Sequence, residues 1–376
     1  MIASVFCRRK EVCSLVAALF LLSISLASAQ SNDATTEPSP WTFAVSGDSR
    51  NCGDVVMPAI AAGAMRDKAA FYWHLGDLRA ISDFDQDMKQ VATAQGKTLS
   101  IGEYENQAWN DVIQNQIVPF GAIPFYLGIG NHETVLPKTR AEFIVQFADW
   151  LNSPSLKEQR LKDDPKDHRL KTYYHWLRDG IDFINLDNAT RDQFDAEQLK
   201  WFEALIARDK SDGSVRTLVV GMHEALPASI SANHSMNESG EGEQSGTRVY
   251  QDLLKLQNET HKTIYVLASH SHFFMEGIFN TEYWRSHGGV LPGWIVGTAG
   301  AERYPLPPNS SAAKIAITNV YGYLLATVNP PGQPPGTISF AFKQFETNNI
   351  PGDVVQRYTQ PFVNECFSGN RRTKGF

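Results

Sequence analysis

The stretch Pro124-Phe-Tyr-Leu-Gly-Ile-Gly-Asn-His-Glu-Thr134 (PFYLGIGNHET) opens as a short apolar run and ends on an amide, an imidazole and a carboxylate in consecutive positions. An apolar run of this length, punctuated by glycine, reads as a buried strand that stops at Gly130. The same grammar recurs in both directions along the chain. Residues 41–45 run into Gly47-Asp48, and residues 70–75 into Gly76-Asp77. Residues 217–220 precede His223, and residues 263–268 precede His270-Ser-His272. Five strands therefore present metal-ligating residue types at one end, where open α/β sheets build their sites.

Four further runs, 181–186, 294–296, 323–328 and 337–342, bring the expected strands to nine. Helical patterns lie between the early ones. In the clearest, Asp195 caps a first turn and Leu199, Phe202, Leu205 and Ile206 share one apolar face. Strands alternating with helices predict an α/β protein. From Trp284 onward strands occur without obvious helices, which predicts antiparallel sheet closing the fold. Segments 154–169 and 229–246 are polar and read as surface loops. Asp83, Asp85 and Asp87 read as the solvated start of a helix.

Residues i and i+2 of an extended chain project to the same side, so His270 and His272 can each reach one of two neighbouring ions. The remaining histidines, among them His74, His175 and His234, read as packed or solvated side chains. Carboxylate, amide and imidazole together suit Mn, Fe or Zn better than Mg or Ca. With Asp77 shared, two ions about 3.5 to 4 Å apart would clamp substrate oxygens and hold a bridging hydroxide, an arrangement suited to in-line displacement at phosphorus. His132 sits beside a ligand without a spacing that makes it one, so it can donate a proton to the leaving oxygen. Glu133 either orients His132 or is a surface carboxylate.

The ordered series Gly-Asp, Gly-Asp, Gly-Asn-His-Glu, His, His-x-His resembles the calcineurin-like metallophosphoesterase family. The resemblance implies two mixed β-sheets packed as a sandwich and flanked by helices, a four-layer α/β fold with a dinuclear centre at one edge. By that resemblance Asp48, Asp77 and His272 bind one ion. Asp77, Asn131, His223 and His270 bind the other, and His132 acts as acid. Three positions depart from the pattern. Arg50 stands where the family commonly has a ligating histidine, and Ser269 where it usually has glycine. Ala80 stands where purple acid phosphatases have the tyrosine that colours their centre, which argues against that branch.

Arg50 has donors only and cannot ligate a cation. Two readings follow: the guanidinium forks onto a substrate phosphate oxygen, or it pairs with Asp54 or Asp83. In the first case two ions bind, the first keeping Asp48, Asp77 and His272; alternatively Arg50 displaces that ion and one remains.

Composition bounds the rest. The 376 residues are 42% apolar and 11% aromatic, enough for a large core, with a net charge of −7. Arg8, Arg9 and Lys10, the apolar run 12–26 and Ala27-Ser28-Ala29 have the order of a cleavable secretory signal. The expected layout is a signal peptide at 1–29, a linker at 30–40, the catalytic domain at 41–345 and a C-terminal extension at 346–376. The processed chain is exported, to a periplasmic or extracellular space, without stable membrane insertion. Removing the three basic residues with Glu11 leaves a net charge of −9. That acidity is unsuited to duplex nucleic acid. The expected partner, from the phosphoesterase resemblance, is a small phosphorylated substrate, with oligomeric state open. Cys52 and Cys366 remain, and in an oxidising compartment they can form a bridge. Two other function classes compete. One is a family member that binds a phospho-ligand without turnover. The other is an amide hydrolase of the metallo-β-lactamase type, which the lack of a His-x-His-x-Asp-His run disfavours.

Overall fold

Strand β1 (Trp41–Ser46) places Phe43 and Val45 on one face and Ala44 on the other, all fully buried. Strand β2 (Ala69–His74) repeats the pattern, with Phe71 and Trp73 opposite Tyr72. Apolar side chains on both faces mean that each sheet must be covered twice, and the architecture follows from that requirement. The computed structural model describes residues 38–372, so the expected signal at 1–29 and most of the linker lie outside the described residues.

The remaining strands are β3 (Phe125–Leu127), β4 (Tyr174–Arg178), β5 (Ile181–Asn185), β6 (Thr217–Gly221), β7 (Thr263–Ala268), β8 (Phe274–Glu276), β9 (Gly293–Val296), β10 (Ile315–Ile317), β11 (Tyr321–Val328) and β12 (Ile338–Phe345). One sheet has the order β12-β11-β1-β2-β3 and the other β10-β8-β9-β7-β6-β5-β4. Within them β1, β2 and β3 run parallel, as do β5, β6, β7 and β9. The sheets meet across an aromatic core in which Phe43 stacks on Phe71 at 5.0 Å and Trp176 on Phe183 at 5.1 Å. Burying each such ring contributes about 2 to 3 kcal/mol. Helices Gly53–Arg66 and Ile101–Val112 cover the outer face of the first sheet through Val56, Ile60, Tyr104 and Trp109. Helices Ala196–Ser211 and Gly240–Thr260 cover the second through Phe202, Leu205, Tyr250 and Leu253. The result is the expected four-layer α/β sandwich.

Several expectations are corrected. Segment 154–169 carries the helix Pro154–Asp163, and segment 229–246 runs into the long helix from Gly240. The last third is not helix-free, since Gly352–Tyr358 and Gln360–Ser368 are helical. Asp85 and Asp87 are fully buried and only Asp83 is exposed. The cause is Arg79, itself fully buried, whose guanidinium contacts Asp54, Asp87 and Asp111 and lies 3.8 Å from Asp85. A buried guanidinium needs compensating charge, and here four carboxylates supply it from three separate segments of chain, Asp85 and Asp87 from one helix start. Cys52 and Cys366 form a disulfide that ties the C-terminal helices to the start of helix Gly53–Arg66. Among the described residues, no helix is long and apolar enough to cross a membrane.

Candidate metal centre

The carboxyl ends of β1, β2, β3, β6 and β7 converge on one edge of the sandwich, and each delivers its side chains through a tight turn. Asp48, Asp77 and His270 all have positive φ, at 61°, 61° and 64°. Holding three non-glycine residues there costs free energy and turns each side chain back across its own strand end. The turns can close because glycine surrounds them. A Cβ on Gly130 would lie 2.3 Å from Asp77 Oδ1, and one on Gly297 would lie 2.8 Å from Asp48 Oδ2.

His223 Nδ1 donates to the Leu75 carbonyl at 3.0 Å, which leaves Nε2 as the inward nitrogen. That nitrogen lies 3.0 Å from Asn131 Oδ1, 3.1 Å from His270 Nδ1 and 3.4 Å from Asp77 Oδ1. His272 is built the same way: Nδ1 donates to the Glu302 carbonyl at 2.6 Å, and Nε2 lies 3.2 Å from Asp48 Oδ1. A backbone acceptor that fixes the far nitrogen of a histidine is the usual support of a metal-binding imidazole. Two donor groups share Asp77, one with His223 and His270 and the other with Asp48 and His272; a third, more exposed group joins His234 and Glu238 to His270. Asp48 Oδ1 and Asp77 Oδ2 are buried without a hydrogen-bond partner among the described residues, an arrangement that calls for a cation.

Electrostatics agrees. Burial raises the Asp77 carboxyl, but the charge and hydrogen bond of His223, with the Arg50 guanidinium, outweigh it and hold it well below its ordinary value. Burial likewise raises Asp48, and His272 overrides it. His270 is pushed well below its ordinary range, first by burial and then by His223. His223 moves the other way, to about 9: burial lowers it, and Asp77 beside Nε2 wins. A proton held between His223 and Asp77 occupies the place of a cation, and a metal ion bound there would displace it.

Arg50 lies inside the second of these groups. Nη2 is 3.0 Å from His272 Nε2, Nη1 contacts His132 Nε2, and Nε is 3.7 Å from Asp77 Oδ2. It pairs with neither Asp54, which Arg79 holds, nor Asp83. His132 Nδ1 donates to the Ala80 carbonyl at 2.5 Å, so its Nε2 accepts from Arg50. Glu133 is corrected on both expected roles. It is fully buried, and among the described residues its carboxyl oxygens hydrogen-bond not to His132 but to the backbone N–H groups of Asp77, Leu78 and Gly130 at 2.9, 2.8 and 2.7 Å. It holds the turn that presents Asp77.

Residues 54–274 match the family model described as calcineurin-like phosphoesterase. The chain belongs to the calcineurin-like phosphoesterase family. Among solved structures, the purple acid phosphatase PPD1 from yellow lupin (Lupinus luteus) seeds is similar with a TM-score of 0.56 at 16% identity, covering 82% of this chain and 52% of that one. This chain thus spans about half the length of the lupin protein, and at that identity the likeness shows the fold alone. A dimetal phosphatase from Danio rerio has a TM-score of 0.45 at 11% identity, covering 76% of this chain and 92% of its own. No curated protein matches in sequence. Within the family fold, the six expected ligands and His132 are brought together, and Arg50 joins them.

Sequence reasoning gave no role to Ser269, whose hydroxyl donates to Asp48 Oδ2, and missed Tyr304, whose ring stacks on His272 at 4.0 Å. It also missed His234, whose Nδ1 lies 3.4 Å from His270 Nε2. Ser269 was visible as a departure from the family pattern. Tyr304 and His234 carry no local signal, because they follow no strand of the series.

Proposed function

We propose that this chain is an exported, metal-dependent phosphoesterase acting on a small phosphorylated substrate. The observation that carries the reading is Asp77, one buried carboxylate shared by two donor groups at the edge of a phosphoesterase-family sandwich. Asp77, Asn131, His223 and His270 would hold an Mn, Fe or Zn ion, which when bound supplies Lewis-acid polarisation of a phosphoryl oxygen and acidifies water. Of the two-ion and one-ion readings, the contacts of Arg50 favour one, because its guanidinium already places a positive charge among Asp48, Asp77 and His272.

Arg50 then has a second use. Its side chain is 14% exposed, and a phosphate oxygen can draw its donors away from His132 and His272. That exchange frees His132 Nε2 to hold the proton that the leaving oxygen takes. The Cys52–Cys366 disulfide supports export, since such bonds persist in oxidising compartments.

The test is hydrolysis of phenyl phosphate and of a bis-aryl diester by metal-loaded protein, with Asp77→Asn as control. Turnover that disappears in the variant supports the reading. The contact between Arg50 and His132 Nε2 favours a second one, a phospho-ligand-binding protein without turnover. Metal and phosphate binding without hydrolysis, after loading with Mn, Fe and Zn in turn, would establish that alternative.

A further inference from the structure

One wall of the centre is not made by the strand ends. Residues 297–304 run beside Asp48 and His272, with the Ala301 amide donating to the Asp48 carbonyl at 2.9 Å and the Tyr304 amide to the His272 carbonyl at 3.2 Å. The end of the chain is sewn onto this segment. The Arg303 amide donates to the Asn370 carbonyl at 3.1 Å, the Arg372 amide donates to the Arg303 carbonyl at 2.9 Å, and Asn370 Nδ2 reaches the Gly300 carbonyl at 3.1 Å. The disulfide at Cys366 anchors the same tail four residues upstream of Asn370.

The consequence is a second guanidinium at the site. Arg372 Nη2 donates to the Tyr304 hydroxyl oxygen at 2.9 Å, and its guanidinium lies 4.0 Å from the centre of the Tyr304 ring. Arg50 Nη2 donates to the same oxygen at 3.4 Å. A phenol oxygen that accepts from two guanidiniums acts toward any third oxygen as a donor. Arg50, Tyr304 and Arg372 thus form a row of donors leading outward from His272. Asp77 faces the inner end of this row, 3.7 Å from Arg50 Nε, and Glu302 the outer end, 3.2 Å from Arg372 Nε. Both partners of that pair are about 40% exposed (41% and 39%), where an ion pair is weak and an incoming anion can compete.

We propose that Arg372, Tyr304 and Arg50 form a second oxyanion subsite, so that the preferred substrate is a phosphate ester whose alcohol part carries a further carboxylate or phosphate. This rests on the phosphoesterase reading and names the substrate class of the same site. Charge-assisted hydrogen bonds of this kind are worth about tenfold or more in affinity.

The experiment is calorimetric titration of the metal-loaded full chain with two non-hydrolysable probes, phenylphosphonate and 4-phosphonobenzoate, which adds a carboxylate. The native chain is expected to bind 4-phosphonobenzoate about tenfold more tightly, Arg372→Ala to bring the two near parity, and Arg372→Lys to keep part of the preference. Equal affinities in the native chain, or an Arg372→Ala variant that weakens both probes alike, would overturn the subsite. Glu302→Gln gives an independent arm, since removing the competing carboxylate should widen the preference, and a narrower or unchanged one counts against the proposal. Phenyl phosphate turnover measured on the same protein separates the two questions. Preference without turnover sinks the enzyme and keeps the subsite; turnover without preference does the reverse.

Discussion

Arg50 Nη2 lies 3.0 Å from His272 Nε2, on the one ring nitrogen of His272 that does not donate to the Glu302 carbonyl. A lone pair that accepts from a guanidinium is not available to a metal ion. The native chain is therefore expected to hold one ion, and Arg50→His, which supplies an imidazole in place of the cation, to hold two. Elemental analysis reads the count, and Mn(II) spectra read the coupling: an isolated-ion pattern for the native chain, an exchange-coupled pair for the variant. Two coupled ions in the native chain would refute the displacement.

The same guanidinium should matter to substrate more than to metal. Arg50→Ala removes the donors that a phosphate oxygen would capture and leaves Asp77, Asn131, His223 and His270 in place. A rise in KM of about tenfold for phenyl phosphate is expected, with metal content at one ion or above. Unchanged KM would confine Arg50 to a structural pairing with Asp77.

Glu133 offers a test of stability close to the site. Its carboxylate accepts three buried backbone N–H groups, and each donor left unpaired in the interior costs about 1 to 3 kcal/mol. Glu133→Ala is expected to lose about 3 kcal/mol or more in urea unfolding and to weaken metal binding, because the Asp77 turn loses its tie. Glu133→Gln retains one acceptor oxygen and should fall between the two. Native-like stability in Glu133→Ala would mean that water replaces the carboxylate without penalty.

The nine expected strands are all present because each is an apolar run bounded by turn residues, and the ends of five of them bring Asp48, Asp77, Asn131, His223, His270 and His272 together. The strands that escaped reading lie at the two ends of the second sheet, β10 and β4 as its edges and β8 next to β10. β8 and β10 have three residues each, and β4 mixes His175 and Arg178 into its run. Asp85 and Asp87 were misread because their partner Arg79 is buried, and the burial depends on Asp54 and Asp111, which lie 25 and 32 residues away from it. Tyr304 reaches the site through the bonding of residues 301 and 304 to Asp48 and His272, and Arg372 through the pairing of the tail with residues 300–303, a contact across 67 residues; no local pattern encodes either. Local periodicity thus reveals the strands and their tips, while long-range polar pairing decides what else stands beside them.

His175 gives a pH-dependence far from the metal centre. Burial lowers its basicity, but Asp163 at Nε2 and Asp182 at Nδ1 outweigh that and raise it to about 9. Arg208 also faces this cluster, bonded to Asp163, Asp182 and Asp209. A histidine whose folded value lies above its unfolded 6.5 contributes stability that is fully present below pH 6.5 and is lost as pH rises through about 9. The contribution is at most about 3 kcal/mol, with discount for Asp163, which is partly exposed. Asp209, raised to about 7 by burial and by Asp182, loses its own contribution as pH rises toward 7, below this window. Urea unfolding from pH 7 to 9.5 should therefore show the native chain losing stability more steeply than His175→Gln. Parallel slopes would mean that the imidazole is already neutral at pH 7 and that Arg208 alone balances the three aspartates.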